Sequence, residues 1–505
     1  MRGRAFTAAV AALLVATACT MGSDEEGFRP AFEKTQCPPD VAVVILTSVS
    51  CGYLTVLEDR SKPGGRTIRL FAIRIQPPEG IRPSPDPMFD AGYEIAQVPS
   101  YASIGPLAQR THREVILLDQ RGTGHSEPSL ACPEVRGESE RFLASRISDP
   151  SIRNRLSAAA RACYDRLVGE GIDPSAYTLG AAAADIEDLR RVLGISRWNL
   201  ISHGTTSRLV LEVMRRFPEH IRAAVLDSPQ FPQADELSAA PTDLEDAMGR
   251  LIAHCVDDRF CDSRFPDLSN AFRDAAAQLQ SRPVTVDVPA PNGSQIRVVV
   301  DGAAFVRGVR VMLSDNDLQL ASRIPAAIDA ALDGSVDVVA GLLSGDPSMC
   351  VGYLPRCDRH PFSEGTYYSY VCHDEVPFVD PSTLAAAAQG DPGIDEAFGR
   401  HPYLDICESW PVGSGDPVMA QPVISTIPTL LFHGELDAFS PASLVRQAGR
   451  TLSESFVVEA PSLGHDLLTF DCYRDIRNAW VDAPASLPDM SCEELSTITF
   501  EASAA

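Results

Sequence analysis

The chain has 505 residues, of which 45% are hydrophobic and 22% charged, as in an ordinary globular protein. Its 68 acidic and 43 basic side chains give a formal net charge of −25, which repels a phosphate backbone and disfavours nucleic-acid binding. The length suits one large domain with an insertion, or two or three domains. Thirteen cysteines form an odd set, so one of them must stand outside any complete disulfide pairing.

The amino-terminal segment has the pattern of an export signal. Two arginines precede an apolar stretch over residues 5–18, which leads to Cys19. This stretch is too short to cross a bilayer, which takes about 20 apolar residues. We predict a signal peptide over residues 1–18, lipidation of Cys19 and a tether over residues 19–35. Plain secretion after an ordinary A-x-A cleavage site is the alternative. Loss of the two arginines takes the net charge from −25 to −27.

The remaining twelve cysteines should be oxidised in an exported protein. Sequence alone does not fix their connectivity. The simplest expectation pairs neighbours along the chain: Cys37–Cys51, Cys132–Cys163, Cys255–Cys261, Cys350–Cys357, Cys372–Cys407 and Cys472–Cys492. Zinc is the rival interpretation, but the sequence contains neither a C-x-x-C pair nor a C…H-x-x-x-H run. We therefore expect neither a metal nor a cofactor.

Short apolar runs bounded by turn residues alternate with longer helical patterns. The predicted strands are Ile68–Ile75, Glu114–Asp119, Trp198–Ser202, Ile221–Asp227, Pro428–His433 and Phe456–Glu459. Helices predicted between strands include Ala181–Leu193 and Ser207–Arg216. Several runs are apolar nearly throughout, which is typical of strands buried on both faces of a parallel sheet. The alternation predicts an α/β fold with a mostly parallel, doubly wound sheet.

The alternation stops between residues 231 and 421. This segment is rich in Ala, Asp and Pro and contains a β-hairpin signal, with strands Val284–Val288 and Ile296–Val300. We predict a mainly helical cap over residues 231–421, inserted between two parts of the core, residues 36–230 and 422–505.

Two residues that follow late strands have the chemistry of an acid and a base. Asp437 follows strand Pro428–His433, and His465 comes 28 residues later, after the last predicted strand. An Asp followed by Gly-His is the acid-then-base order of an α/β-hydrolase. A buried carboxylate on one imidazole nitrogen fixes the tautomer and leaves the other nitrogen as a base. Alone, Asp437 reads equally as a turn residue and His465 as a loop histidine, but their joint placement favours a catalytic pair.

Four segments carry a specific resemblance to a known family. They are VILLDQRGTGHSEPSLACPE, WNLISHGTTSRLVLEVMRRFPEHIRAAVLDS, YVCHDEVPF with CESWPV, and PTLLFHGELDAFSP…APSLGH. The chain resembles, from about Cys37 to Cys492, the exported prolyl and tripeptidyl aminopeptidases. These are serine peptidases of the α/β-hydrolase superfamily with a TAP-like carboxyl-terminal part. The resemblance implies an α/β-hydrolase core, a helical cap, a Ser-Asp-His triad and release of short pieces from peptide amino termini, with Asp437 and His465 as acid and base.

The nucleophile of that family is missing. Its turn reads roughly W-N-L-Y-G-x-S-Y-G-T-R and aligns without a gap to residues 198–208. The alignment places Gly204 at the nucleophilic serine, with Ser202 and Thr206 in place of two glycines. Because the backbone of such a turn is strained and tightly packed, it needs small neighbours. The motif as a whole is therefore lost, and the chain reads as a degenerate member of the family.

The loop that should help to bind the oxyanion is altered as well. The family carries Gly-Gly-Pro-Gly before the DQRG strand, and one such backbone donor contributes about 3–4 kcal/mol. The corresponding stretch here is residues 87–95, in which Gly92 alone survives and Glu94 adds a negative charge. Two separate segments thus depart from the pattern of an active peptidase.

Other hydroxyl groups are alternative nucleophiles. Ser202 gives half of an S-x-G match if the turn slides by two residues, at the expense of the ungapped alignment. Thr205 and Ser207 flank the turn, and Ser126 belongs to a different loop. Each of them also fits a helix-capping or turn role.

Two acidic residues of the predicted cap are candidate ligand-binding groups. Asp374 and Glu375 lie in a segment that resembles the place where the family holds the α-ammonium group of its substrate. A carboxylate in a partly desolvated pocket suits a cation. The alternative is that both are solvated acids in an acidic chain.

Two functions remain open. The first is an exported hydrolase-fold protein without peptidase activity. It binds a peptide or a protein partner through the cleft that holds the substrate in active members of the family. The second is an active exopeptidase or esterase that uses a displaced nucleophile such as Ser202 with His465 and Asp437. Losing the nucleophile of such a triad costs about 10⁶ in turnover, so the retained acid and base do not rescue activity and we favour the first. Membrane contact would come only through a lipid on Cys19.

Overall fold

The structure is a computed structural model. It describes residues 28–501 apart from 45–47, 81, 93–94, 97–100, 147, 290–293, 315–317, 346–361, 381, 384–385, 387–391, 400–401, 441, 487–491 and 493–497. The predicted signal peptide, Cys19, Glu94 and the predicted Cys350–Cys357 bridge lie outside the described residues.

A nine-stranded sheet, counted over the described residues, runs through the molecule. Its strands are β1 (Ala31–Thr35), β2 (Val49–Leu57), β3 (Thr67–Ile75), β4 (Met88–Asp90), β5 (Val115–Leu118), β6 (Trp198–His203), β7 (Ile221–Asp227), β10 (Thr429–Gly434) and β11 (Ser455–Ala460). They lie in the order β1-β2-β3-β5-β4-β6-β7-β10-β11. In this spatial order, the first three pairs (β1 with β2, β2 with β3, and β3 with β5) are antiparallel. All pairs from β5 and β4 onward to β11 are parallel. The predicted mostly parallel α/β fold is confirmed.

Each of the six predicted strands is present to within two residues. The sequence prediction missed β1, β2 and β4. Strand β4 has only three residues, too few to show a hydrophobic period. In β2, Gly52 interrupts the hydrophobic pattern of the strand. A glycine is needed there because a Cβ would overlap the Phe32 ring of β1.

Helices flank the sheet on both sides. Those before the insertion are α1 (Pro39–Val44), α2 (Tyr101–Thr111), α3 (Pro133–Arg136), α4 (Ser139–Leu143), α5 (Pro150–Gly169), α6 (Leu179–Val192) and α7 (Thr206–Arg216). After it come α17 (Ala442–Gln447) and α18 (Asp471–Asp482). Every residue of β5, β6 and β10 is buried, as expected for strands covered on both faces. Two predicted helices, which correspond to α6 and α7, are confirmed.

The segment between β7 and β10 is mainly helical. It contains α8 (Glu236–Asp257), α9 (Arg259–Arg264), α10 (Leu268–Ser281), α11 (Gly302–Ser314), α12 (Leu318–Leu332), α13 (Asp337–Gly345), α14 (Glu364–Asp374), α15 (Pro392–Phe398) and α16 (Pro402–Ser409). The predicted hairpin is present as β8 (Val284–Pro289) and β9 (Gln295–Val300). The domain boundaries at residues 230 and 421 stay predictions.

Five of the predicted disulfide bonds are formed. They join Cys37 to Cys51, Cys132 to Cys163, Cys255 to Cys261, Cys372 to Cys407 and Cys472 to Cys492. A search of the described helices for a membrane span finds none that combines the required length with the required apolarity.

Candidate active site

The predicted acid and base meet at the carboxyl end of the sheet. Nδ1 of His465 lies 2.9 Å from Oδ2 and 3.1 Å from Oδ1 of Asp437. The two loops pack closely because both carry a glycine at the contact. A Cβ on Gly434, the last residue of β10, would overlap the backbone of Gly464. The structure therefore brings Asp437 and His465 together as the sequence predicts.

The carboxyl of Asp437 is ionised and fully buried. Burial alone would raise the pKa of Asp437, but the contact with His465 and the backbone N–H of Phe439 outweigh burial and hold the pKa below its ordinary value. Oδ1 also accepts hydrogen bonds from the N–H groups of Phe439 (2.8 Å) and Ser440 (3.1 Å). Because a carboxylate only accepts, the Nδ1–H of His465 donates, and Nε2 is the basic nitrogen.

The turn between β6 and α7 keeps the backbone course expected of a nucleophile elbow. Gly204 has a φ of 50°, in the left-handed region that favours glycine. Its N–H donates to the Asp227 carbonyl (3.0 Å), and its own carbonyl accepts from the Ser207 N–H (3.1 Å). The turn thus presents residue 204 at the start of α7, but that residue has no side chain to act as a nucleophile.

Threonine side chains of the turn engage the loop that follows β4. Oγ1 of Thr205 accepts a hydrogen bond from the Ile95 N–H (2.9 Å), and Oγ1 of Thr206 donates to the Gly92 carbonyl (2.6 Å). This is the loop from which the resembling family supplies an oxyanion donor. One backbone donor of the loop is therefore already bonded to the protein itself.

Ser202, the alternative nucleophile, lies at the end of β6. Its side chain is fully buried, and its Oγ lies 3.0 Å from Oγ of Ser207, which is buried too. Within the described part of the chain, neither hydroxyl makes a hydrogen bond with His465.

A buried charged cluster connects the turn to the loop of the base. Nδ1 of His203 lies 3.3 Å from Oδ2 of Asp227 and 3.1 Å from Oδ1 of Asp466. Burial would lower the pKa of His203, but the hydrogen bonds to the two carboxylates outweigh it and raise the pKa to about 10. His203 is therefore an imidazolium at neutral pH. Because it precedes Gly204 and contacts the residue after His465, the nucleophile position and the base belong to one site.

This cluster was not predicted from the sequence, although the sequence contains a signal for it. His203 directly follows the predicted strand Trp198–Ser202, Asp227 ends the predicted strand Ile221–Asp227, and the two residues are register partners in the sheet. Asp227 also accepts the N–H groups of Leu467 (3.0 Å) and Leu468 (2.8 Å), so its carboxylate fixes the path of the chain after His465.

Among the residues that the structure describes, two groups of side chains have metal-binding chemistry. The ligand atoms of His203, Asp227 and Asp466 lie within 4.8 Å of one another, but the raised pKa of His203 fits an imidazolium between two carboxylates. The second group contains Cys132 and Cys163, which are joined in a disulfide and offer no thiolate.

The two predicted ligand-binding acids line a cavity of about 350 Å³. Oε1 of Glu375 accepts hydrogen bonds from Arg208, in the first turn of α7, and from the Tyr370 hydroxyl. Asp374 accepts from the Leu179 N–H (2.8 Å) and lies 2.8 Å from Nδ1 of His373. Both acids are thus held by the protein at the cavity wall.

Two family models match the chain. The α/β hydrolase fold model covers residues 94–278, and the TAP-like protein model covers residues 395–491, which includes Asp437 and His465. The chain therefore has the α/β-hydrolase fold, and its carboxyl-terminal part matches the TAP-like proteins.

Several curated proteins similar to this chain are peptidases by name. Tripeptidyl aminopeptidase of Streptomyces coelicolor is 27% identical over 208 residues, which are 37% of this chain and 36% of the relative. Serine protease Hip1 of Mycobacterium tuberculosis is 25% identical over 275 residues, 50% and 51% of the two chains. Carboxylesterase B of the same species is 26% identical over 229 residues, 43% of each chain. The matched part thus spans between a third and about half of each relative.

Solved structures resemble this chain only loosely. Proline iminopeptidase of Mycobacterium smegmatis is 14% identical with a TM-score of 0.35, covering 83% of this chain and 96% of its own. A proline iminopeptidase-related protein of Thermus thermophilus is 16% identical with a TM-score of 0.36, covering 88% and 100%. Scores this low add nothing to what the family models show.

Proposed function

We propose that this TAP-like hydrolase has lost peptidase activity and acts as a peptide-binding protein. The observation that carries the proposal is Gly204, which stands at the nucleophile position of an otherwise recognisable turn. A second observation supports the loss of peptidase activity: the Thr205 hydroxyl accepts a hydrogen bond from the Ile95 N–H. A triad without its nucleophile loses about 10⁶ in turnover, so the retained Asp437 and His465 cannot sustain peptidase catalysis.

The cavity beside α7 supports the binding half of the proposal. Its volume of about 350 Å³ is in the range of small-ligand sites. Apolar wall residues include Pro232, Leu237, Phe378 and Val379, which suit short peptide side chains. Arg208 lies in the cavity wall, four residues after Gly204, so the cavity lies near the turn.

Glu375 is the group we assign to the peptide amino terminus. Its Oε1 is taken by Arg208 and Tyr370, whereas its Oε2 makes no hydrogen bond to the residues that the structure describes. Burial raises the pKa of Tyr370 well above its ordinary value, so the phenol stays protonated and donates to Glu375. The carboxylate is thereby fixed with one oxygen available to an α-ammonium group.

We further propose that the protein is exported and held at the membrane by a lipid on Cys19. The amino-terminal sequence and the five disulfide bonds support export, because disulfides persist in oxidising compartments. A partner protein in place of a free peptide would be bound through the same cavity.

Titration calorimetry with tripeptides tests the binding function. We expect a tripeptide with a free amino terminus to bind and Glu375→Gln to weaken it tenfold or more, since a hydrogen bond to a charged group contributes about 1.5–3 kcal/mol. The N-acetylated tripeptide is the matched control, and its affinity should not depend on Glu375. Equal binding of both peptides, or none of either, would contradict the assignment.

The second candidate function is an active hydrolase with a displaced nucleophile. The intact Asp437–His465 pair is the observation that favours it. In that case a p-nitrophenyl ester should be hydrolysed in a reaction that Ser202→Ala abolishes. Ester hydrolysis that survives Ser202→Ala, or does not occur, rules out Ser202 as the nucleophile.

A further inference from the structure

Helix α11 belongs to the inserted segment, yet its last turn reaches the loops of the acid and the base. Oγ of Ser314 accepts a hydrogen bond from the N–H of Ala438, the residue after Asp437 (3.1 Å). The carbonyl of Ser314 accepts a hydrogen bond from the N–H of His465 (2.7 Å). One buried residue therefore holds both loops.

Arg310 contacts the same loop one turn earlier in α11. Its Nε donates to the Ala438 carbonyl (3.0 Å), and its guanidinium lies 4.1 Å from the centre of the Phe439 ring. The Phe439 ring in turn meets the His465 ring edge-on, with centroids 5.9 Å apart. Arg310 thus fixes the backbone beside the acid and supports the aromatic ring beside the base.

A glycine in the loop that carries His465 allows the close approach of α11. Gly464 precedes His465, and a Cβ at this position would overlap the backbone of Leu313 and Ser314. Any larger residue would push the loop away from α11 and break the hydrogen bond from His465 to Ser314.

We propose that Arg310 and Ser314 are positioning residues that hold the Asp437 carboxylate against Nδ1–H of His465. Constellations of this kind must be held to within about 0.5 Å, which requires neighbours that are themselves fixed. The inserted segment is then part of the frame of the acid–base pair and not a separable lid. This assignment goes beyond the proposed function, because it concerns the pair itself and holds whether or not the protein turns over a substrate.

The test reads the tautomer of His465 by nitrogen-15 NMR in histidine-labelled protein, with the signal assigned through His465→Gln. In the unmodified protein we expect a single tautomer with the proton on Nδ1. Arg310→Met and Ser314→Ala should give mixed tautomers or rapid exchange of that proton. In both variants, carbethoxylation of His465 by diethyl pyrocarbonate should be at least threefold faster than in the unmodified protein. The conservative change Arg310→Lys should restore most of the original pattern.

Arg307→Met is the matched control, since Arg307 lies on the same helix, is equally half-buried and also donates to a backbone carbonyl, that of Ala397 (2.8 Å). It should lower stability without changing the His465 tautomer. An unchanged tautomer in both Arg310→Met and Ser314→Ala would overturn the proposal, as would an equal change in Arg307→Met. The peptide titrations do not depend on the His465 tautomer. The positioning role of Arg310 and Ser314 and the peptide-binding function can therefore be refuted separately.

Discussion

Oγ1 of Thr205 accepts a hydrogen bond from the backbone N–H of Ile95 at 2.9 Å. The residue beside the nucleophile position therefore bonds a donor of the loop that follows β4. In an active serine hydrolase, donors of this loop and turn must be available to the developing oxyanion. The site thus departs from an active peptidase in two linked places, at Gly204 and at Thr205.

Restoring the serine alone should restore little activity. We expect Gly204→Ser to hydrolyse a tripeptide p-nitroanilide near background and to lose about 1–3 kcal/mol of stability, because residue 204 has a left-handed φ. Adding Thr205→Ala should raise turnover at least tenfold by releasing the Ile95 N–H, since one oxyanion donor contributes about 10²–10³.

Thr206→Ala in the same Gly204→Ser background is the matched control for Thr205→Ala. Thr206 donates to the Gly92 carbonyl and accepts from the His203 N–H, so its removal releases no N–H donor of the loop that follows β4. Equal gains from the two threonine changes would show that the Ile95 N–H is not the limiting group.

The His203 cluster should make stability depend on pH in the alkaline range. The folded pKa of about 10 exceeds the ordinary value of 6.5, so the folded state holds the proton more tightly. This stabilisation is complete below pH 6.5 and is lost as the pH rises through about 10. The difference in unfolding free energy between the unmodified protein and His203→Gln should therefore shrink by a few kcal/mol between these limits.

Urea unfolding at several pH values measures this difference. His254→Gln, which removes a half-exposed pair with Glu435, serves as a control and should cost less than about 1 kcal/mol. A difference for His203→Gln that stays constant from pH 6.5 to 10 would show that the histidine is not held as an imidazolium.

Arg208 and Glu375 should behave as a coupled pair. Both side chains are largely buried, so Arg208→Met leaves the Glu375 carboxylate without its cation and should destabilise the fold by about 3–5 kcal/mol. The double variant Arg208→Met with Glu375→Gln should recover part of this loss. Additive losses in urea unfolding would indicate that the two side chains are not coupled.

Peptide mapping without reduction checks the cysteine assignments. We expect the five bridges of the structure together with Cys350–Cys357, and an amino-terminal peptide that begins with an acylated Cys19. A free thiol among the twelve cysteines from Cys37 to Cys492, or an unmodified mature Cys19, would contradict these assignments.

Much of the fold could be read from the sequence, because strands such as Ile221–Asp227 are apolar runs with clear turn residues on both sides. The pair of Asp437 and His465 was predictable from strand order and the family motif. The contacts of Thr205 with Ile95 and of Ser314 with His465 were not. They join residues 110 and 151 positions apart through backbone groups, and no side-chain pattern records such contacts.

Labelling with a fluorophosphonate probe, followed by mass spectrometry, tests the central claim most directly. With Gly204 at the nucleophile position, no serine should be labelled above the level of the His465→Ala variant. Stoichiometric labelling of a serine, abolished by His465→Ala, would contradict the claim and identify the protein as an active serine hydrolase.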